Sequence, residues 1–399
     1  MGLFFMAFFL LSFEDNETTK FLIKNAPALV INNADTARSI LATLIGSIVS
    51  LTVFSFSMVM ILLNQASSNF SPRLLPGLIS NKKNQIVLGF YIGTIVFNII
   101  ILISILPDGD SYTLNGLSVL VGIVLGIICL ALFVFFIHTI STAIQIKDIL
   151  EKIFINTKER LLELNNQERQ KGDFHEVGNK DWFVIQNDKS DYFQGVNMKG
   201  LLTSVDSLDI NLKITAYKGQ YVLPNMEIMR TDRKLDEKQV NSLKDLLVYS
   251  ESSSVRNNYL LGFKQITEVG VKAMSPGIND PGTAVMTIDY LTELFALRMK
   301  LDEVEYYQTE EKAKNIELKS VDFQELIYQC LAAYRQYCKH DIILMEKIVL
   351  MLKYLLKQPM KKEHYKEVIK QQMAIVREDV ELSVENPHDK QKILNLMDS

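Results

Sequence analysis

The chain has 399 residues, which at roughly 150 residues per domain suggests two or three folding units. Lys plus Arg is 42 and Asp plus Glu is 46, a net charge of −4 that excludes the basic excess of a generic nucleic-acid binder. Three cysteines, Cys129, Cys330 and Cys338, have no framework spacing, which excludes a disulfide-stapled domain and a four-cysteine zinc site.

Apolar residues make up 48% and charged residues 22%, with a mean hydropathy of +0.12. An apolar average beside an ordinary charge count implies segregation. Residues 1–146 hold only Lys20, Lys24, Arg38, Arg73, Lys82 and Lys83 against Glu14, Asp15, Glu17, Asp35, Asp108 and Asp110. All other charge lies in 147–399.

A bilayer crossing takes about 20 apolar residues as helix. Residues 1–13 are apolar but short. They lack a basic n-region and a cleavage site, so they read as a short or clipped first helix rather than a signal peptide; a peripheral apolar tail is the alternative. Residues 39–63, 86–106 and 114–137 are each long enough to span. The loop 64–85 carries Arg73, Lys82 and Lys83 with no acid, and the loop 107–113 carries Asp108 and Asp110 with no base. The first loop is therefore expected in the cytoplasm and the second outside. The last helix then delivers the C-terminal half to the cytoplasm, where unpaired cysteines fit.

From His138 to Gln170 there is no Gly or Pro. Ile146, Ile149, Ile153, Leu161 and Leu164 recur at helical spacing, so the helix is expected to run past the membrane, with a break near Asn165. Short β signals follow at 182–185, 192–196, 211–217, 221–223 and 227–229, parted by turns such as Lys218–Gly219. Helices are expected at 236–249, 255–273, 281–300, 321–338, 340–357, 361–383 and 388–397. The fold expected is an integral membrane α-helical domain of about four helices (1–146), a helical extension and linker (147–175), a small β module (176–235) and a mostly α-helical region (236–399). The last two form a cytoplasmic α+β domain.

Gly89 and Gly93, and Gly122 and Gly126, form small-xxx-small pairs for helix packing, within a subunit or along an oligomer seam. In the helix before them Thr43, Gly46, Ser47, Ser50, Ser57 and Asn64 fall near one face, with Thr52 and Ser55 off it. Such a stripe packs on a neighbouring helix or lines a wet path, because polar groups facing lipid are costly. Phe54 beside it is a candidate hydrophobic gate. No ionisable residue sits at the centre of a span, which argues against a proton relay.

Two strings carry a resemblance: 54–58 running to 64–75 with 87–90, and Ala273-Met274-Ser275-Pro276-Gly277-Ile278-Asn279-Asp280-Pro281-Gly282-Thr283-Ala284 with 288–291 after it. With 136–145 and the turn 219–222 they make the chain resemble a bacterial predicted-membrane-protein family, domain of unknown function twenty-two fifty-four. The resemblance implies four membrane helices and a cytoplasmic domain, and no assigned activity.

Read for itself, the second string is a helix–loop–helix corner. Ser275-Pro276-Gly277 breaks one helix, and Asp280 caps the next with Pro281 in its first turn. Ser275, Asn279 and Asp280 are thus corner residues, or ligand or gating contacts. Arg73, Lys82 and Lys83 are candidates for anionic lipid headgroups. No phosphate loop, His-Glu-x-x-His, Cys-x-x-Cys or nucleophile elbow occurs, so neither an enzyme nor a cofactor or metal is expected. Two functions fit. One is a homo-oligomeric channel of the bacterial inner membrane, gated by its cytoplasmic domain and passing an ion or small solute. The other is a membrane-anchored sensor or scaffold that binds a ligand or protein partner. The bilayer and further copies of the chain are the expected partners, nucleic acid is not.

Overall fold

The computed structural model describes residues 2–13, 31, 33–69, 82–105, 107–108, 111–112, 116–143, 146–170, 182–250, 258–309, 311 and 314–398. The chain divides into two compact units, Met1–Gln145 and Ile146–Ser399.

The first unit holds helices α1 (Gly2–Phe13), α2 (Ala34–Asn69), α3 (Lys82–Ser104) and α4 (Gly116–Ala143), with a hairpin of β1 (Pro107–Asp108) and β2 (Ser111–Tyr112) between α3 and α4. Segments 34–62, 83–104 and 116–140 are long and apolar enough to cross a membrane. At 1.5 Å per residue α1 reaches only about 18 Å, short of the ~30 Å hydrocarbon core. The described residues therefore contain three helices of spanning length rather than four.

Small residues set how these helices approach. A Cβ added to Gly93 would sit 2.9 Å from Leu3 of α1, and one on Gly126 would sit 2.9 Å from Leu44 of α2. On Gly122 it would run into the Asn98 side chain and meet Leu41 at 3.3 Å. Gly89 faces open space. One apolar core gathers Ala7, Leu41, Phe97, Ile101 and Val119, and a second gathers Ile48, Val87, Phe136 and Ile140. Arg38 in the first turns of α2 donates to the carbonyl of Ile105, just past the end of α3, the natural place for a cation at a helix C-terminus.

The second unit begins with α5 (Ile146–Gln170). A five-stranded sheet follows, in the order β3 (Phe183–Gln186), β7 (Glu227–Thr231), β5 (Leu212–Ile214), β10 (Asn315–Lys319) and β9 (Val304–Gln308). Only β10 and β5 pair in parallel, Ile316 opposite Leu212. A three-stranded sheet orders β6 (Tyr221–Val222), β4 (Asp191–Val196) and β8 (Leu247–Tyr249). Helices α6 (Met198–Leu208) and α7 (Glu237–Lys244) accompany the sheets. Their shared core includes Phe193, Leu201, Val205, Leu212, Ile228, Leu243 and Ile316. The remaining helices are α8 (Tyr259–Ala273), α9 (Pro281–Arg298), α10 (Phe323–Cys338), α11 (Ile342–Leu356), α12 (His364–Ser383) and α13 (Pro387–Asp398).

Three elements depart from the sequence reading. Residues 198–208 are helical within the expected β module, because Asn197 caps the segment through the Gly200 amide (3.2 Å) and Leu201 and Val205 bury one face. The expected helix 236–249 stops at Lys244, and 247–249 pairs with β4 as β8. Strands β9 and β10 lie in the stretch read as mostly helical, so the sheet draws on residues from both sides of α8 and α9.

The helical core is threaded by aromatics: Phe263 lies 4.9 Å from Phe295, Phe295 6.2 Å from Phe323, and Phe323 4.7 Å from Tyr365 between ring centroids. Helix α5 docks beside it. Its Phe154 stacks on Tyr290 at 4.4 Å, Lys158 pairs with Glu293, and Thr157 packs against Gly262.

Candidate functional site

The stripe on α2 is solvent-exposed in a single copy of the chain: Thr43, Ser47, Ser50, Phe54, Ser57 and Asn64 all lie on the outside of the bundle. Among the described residues, none of them is buried by α1, α3 or α4. The positions advance by four and three, 43–47–50–54–57, with Ile61 and Asn64 continuing the series. That 3.5-residue period is the seam of a left-handed helix–helix contact. From Thr43 to Asn64 it runs about 31 Å at 1.5 Å per residue, the full hydrocarbon thickness. The hydroxyls of Thr43, Ser47, Ser50 and Ser57 each donate to the carbonyl four residues earlier, at 2.7–2.9 Å. Their donors are satisfied locally and their oxygens still present acceptor lone pairs outward. Phe54 is 50% exposed and touches Phe133 of α4 at 5.7 Å between centroids.

A second polar group lies inside the same bundle. Ser55, Thr94 and Asn98 are fully buried, as is Tyr91. Tyr91 faces Ser55, and Thr94 faces Cys129. Both amide atoms of Asn98 lack a hydrogen-bond partner among the described residues. Sequence reading missed this group. Its signal was the i, i+3, i+7 spacing of Tyr91, Thr94 and Asn98, one face of a helix at mid-span.

In the second unit the corner at 275–284 forms as its residues require. The amides of Ile278 and Asn279 both donate to Ser275 O at 3.0 Å, and that of Asp280 donates to Ala273 O at 2.8 Å. Asn279 takes a left-handed φ of 49°, a conformation Asn tolerates better than most residues. Asp280 accepts from the Thr283 amide at 3.0 Å and its hydroxyl at 2.5 Å, with Pro281 opening α9. Those Thr283 hydrogen bonds hold the Asp280 carboxyl below the usual carboxylate range. The backbone groups named here and the Asp280 carboxylate are engaged within the turn itself.

Arg298 ends α9 and is fully buried. It donates to the Tyr259 hydroxyl (3.1 Å), Leu301 O (3.1 Å) and Val321 O (2.7 Å). Its fork thus fixes the start of α8 to the segment between β10 and α10. The nearby Glu303 accepts from the Phe323 amide at 3.1 Å and from Lys362 at 3.0 Å, and these contacts outweigh its burial and keep its carboxyl below the ordinary range.

Of the headgroup candidates, Arg73 lies outside the described residues; Lys82 and Lys83 open α3, and Lys83 is exposed. Cys129, Cys330 and Cys338 are free and buried.

Three helices of spanning length, followed by a mixed α/β unit with a helical C-terminal part, are those of a membrane protein with three candidate spans. The chain belongs to the family described as "Predicted membrane protein (DUF2254)", whose profile matches residues 1–354. It is similar to uncharacterized proteins of Mycobacterium bovis and of two Mycobacterium tuberculosis strains. Each is 21% identical over 269 residues, covering 64% of this chain and 51% of the relative. The chain thus spans about half the length of the curated relatives it matches. No solved structure matches it.

Proposed function

We propose that the protein is a homo-oligomeric pore of the bacterial inner membrane, with α2 of each copy lining the path for an ion or small solute. The second unit, on the cytoplasmic side, biases opening through α5. The reading assigns the chain no catalysis.

The observation that carries it is the outward seam on α2. The hydroxyl oxygens and the Asn64 amide of this face are costly against lipid, and among the described residues of the first unit no helix covers it. Copies of α2 gathered about an axis would place those oxygens toward water and toward one another. Phe54, half exposed beside them, supplies an apolar ring that closes by dewetting. With no fixed charge in the span, selectivity would be weak or set at the mouths. Gly93 receives Leu3 of α1, and Gly122 and Gly126 receive Leu41 and Leu44 of α2, so one face of α2 is held in the bundle and the seam on its other face is left to the axis.

The test is single-channel recording of purified protein in lipid, for the native chain, Ser50→Leu and Phe54→Ser. Conductance falls in the first variant, and the second leaks. Absence of current under all conditions, with both variants folded and assembled, would leave the sensor or scaffold reading in its place.

A further inference from the structure

Between the sheet and the helices of the second unit lies a narrow cleft of about 20 Å³, part of it open to solvent. Three cations line it, Arg160 from α5, Lys218 from the turn before β6 and Lys319 from the end of β10, against one acid, Glu305 of β9. The acid is already engaged: its Oε2 accepts from the Tyr307 hydroxyl at 2.7 Å. Arg160 pairs with the exposed Glu163 at 3.2 Å, a surface contact of little strength. Among the described residues no carboxylate comes within ion-pair distance of the Lys218 or Lys319 ammonium. The first turn of α8, at Asn258 and Leu260, borders the same space and adds the positive end of a fifteen-residue helix.

Lys218 is the informative member. Gly219 beside it takes a left-handed φ of 86°, and a Cβ there would sit 2.8 Å from the side-chain Nδ2 of Asn258. The turn is therefore pressed against the N-cap of α8, and the lysine is held at the cleft rather than extended into water. Burial pushes its ammonium below the ordinary lysine range, with Arg160 acting in the same direction and Glu305 opposing. A half-buried cation beside other cations is unfavourable by itself and becomes favourable when an anion shares the space.

We infer that this cleft is a binding site for a single phosphate group, held by Lys218, Arg160 and Lys319 at the N-terminus of α8. Three cations to one carboxylate match a phosphate dianion, which rests at the open mouth of so small a cleft while the rest of its carrier projects into solvent. The carrier is a soluble phosphorylated compound or a lipid headgroup, since both present the same oxyanion. The site is independent of the pore reading: it binds whether or not current flows. Arg298 secures its wall, because it fastens Tyr259 and Val321, two of the residues that line it.

The experiment uses the full chain in a neutral detergent. Its thermal unfolding midpoint is followed against inorganic phosphate, with chloride at matched ionic strength as the control, and separately against phosphatidic acid in mixed micelles. A saturable rise with phosphate beyond chloride supports a free phosphate compound; a rise only with phosphatidic acid supports a headgroup. Lys218→Met, which keeps the aliphatic stem, raises the half-saturating concentration at least tenfold. Glu305→Gln lowers it several-fold, an increase in affinity that a merely structural role would not produce. No response to either probe in the native chain, or an unchanged response in both Lys218→Met and Glu305→Gln, overturns the assignment. Should Lys218→Met fail to fold, Glu305→Gln and the exposed Lys319→Gln decide the matter.

Discussion

Gly262 is where α8 accepts α5, and replacing it with Ala tests whether the two helices lock there. A Cβ at Gly262 would stand 2.9 Å from both Cβ and Cγ2 of Thr157, and closer still to its Oγ1. Rotating Thr157 about χ1 does not clear the clash, because its Cβ stays in place. The hydroxyl is also committed, donating to Ile153 O at 2.7 Å. The helices must move apart, or the lysine and aromatic contacts of α5 with α9 must loosen. Overpacking of this kind costs about 1–3 kcal/mol, and the better helix propensity of Ala returns about 1 kcal/mol. The net loss expected is about 2 kcal/mol at the upper end, which lowers the unfolding midpoint of a unit of this size by roughly 4–8 °C. Differential scanning fluorimetry of the full chain in detergent reads it. Thr157→Ala removes Oγ1 and Cγ2 together, so the pair Gly262→Ala/Thr157→Ala should lose less than the sum of the two changes, by about 1 kcal/mol. Strictly additive losses in the pair would refute the contact as the point of docking.

Three further outcomes are expected. Asp280→Ala should cost about 1 kcal/mol as a lost cap. Because the folded carboxyl titrates below its unfolded value, the cap's contribution is complete above about pH 3.9 and fades as pH falls further; native and variant unfolding midpoints should converge there, and a gap that persists in acid would contradict the cap. Arg298→Met should destabilise by about 3 kcal/mol, since it strands two carbonyls and a hydroxyl. Arg298→Lys should recover little of that, as one ammonium does not span three acceptors; full recovery in denaturant unfolding would refute the fork. For topology, a cysteine at Asn81 should label only from the cytoplasmic side of intact cells and one at Asp110 only from outside, and the reverse pattern would invert the orientation.

What was readable in advance follows from the range of the interactions involved. Spans are composition over a window of twenty residues, and 39–63 and 86–106 fall inside α2 and α3 almost entirely. The Asp280–Pro281 corner is local chemistry within four residues, and its cap stands as the sequence implied. Strand β10 was not readable, because its partner Leu212 lies about a hundred positions away from Ile316, and no local pattern encodes a parallel pairing of that separation. Helix α6 was hidden by Thr203, Ser204 and Ser207, weak helix formers whose segment is held by the Asn197 cap and the burial of Leu201 and Val205. The α2 stripe was readable as a face. Its exposure required the positions of α3 and α4, which depend on Gly122 and Gly126 meeting Leu41 and Leu44.

The first unit has two polar faces, and under the proposed pore reading they compete as the route for a solute. The inner one, Tyr91 to Asn98, covers only about 10 Å of helix, a third of the hydrocarbon thickness. Apolar clusters close the bundle beyond each end: Leu41, Ile101 and Val119 on one side, Val87, Phe136 and Ile140 on the other. An interior path would have to open both. The outer seam is continuous over its full length and needs only neighbouring copies to enclose it. Asn98→Ala discriminates between them. It removes an amide whose two polar atoms have no partner among the described residues, so the stability gained by deleting unsatisfied groups offsets the small cavity left behind, and the change should stay within about 1 kcal/mol. Under the seam reading its single-channel conductance equals that of the native chain, while Ser50→Leu reduces conductance. Loss of current in Asn98→Ala together with normal current in Ser50→Leu would move the path from the seam into the interior of each subunit.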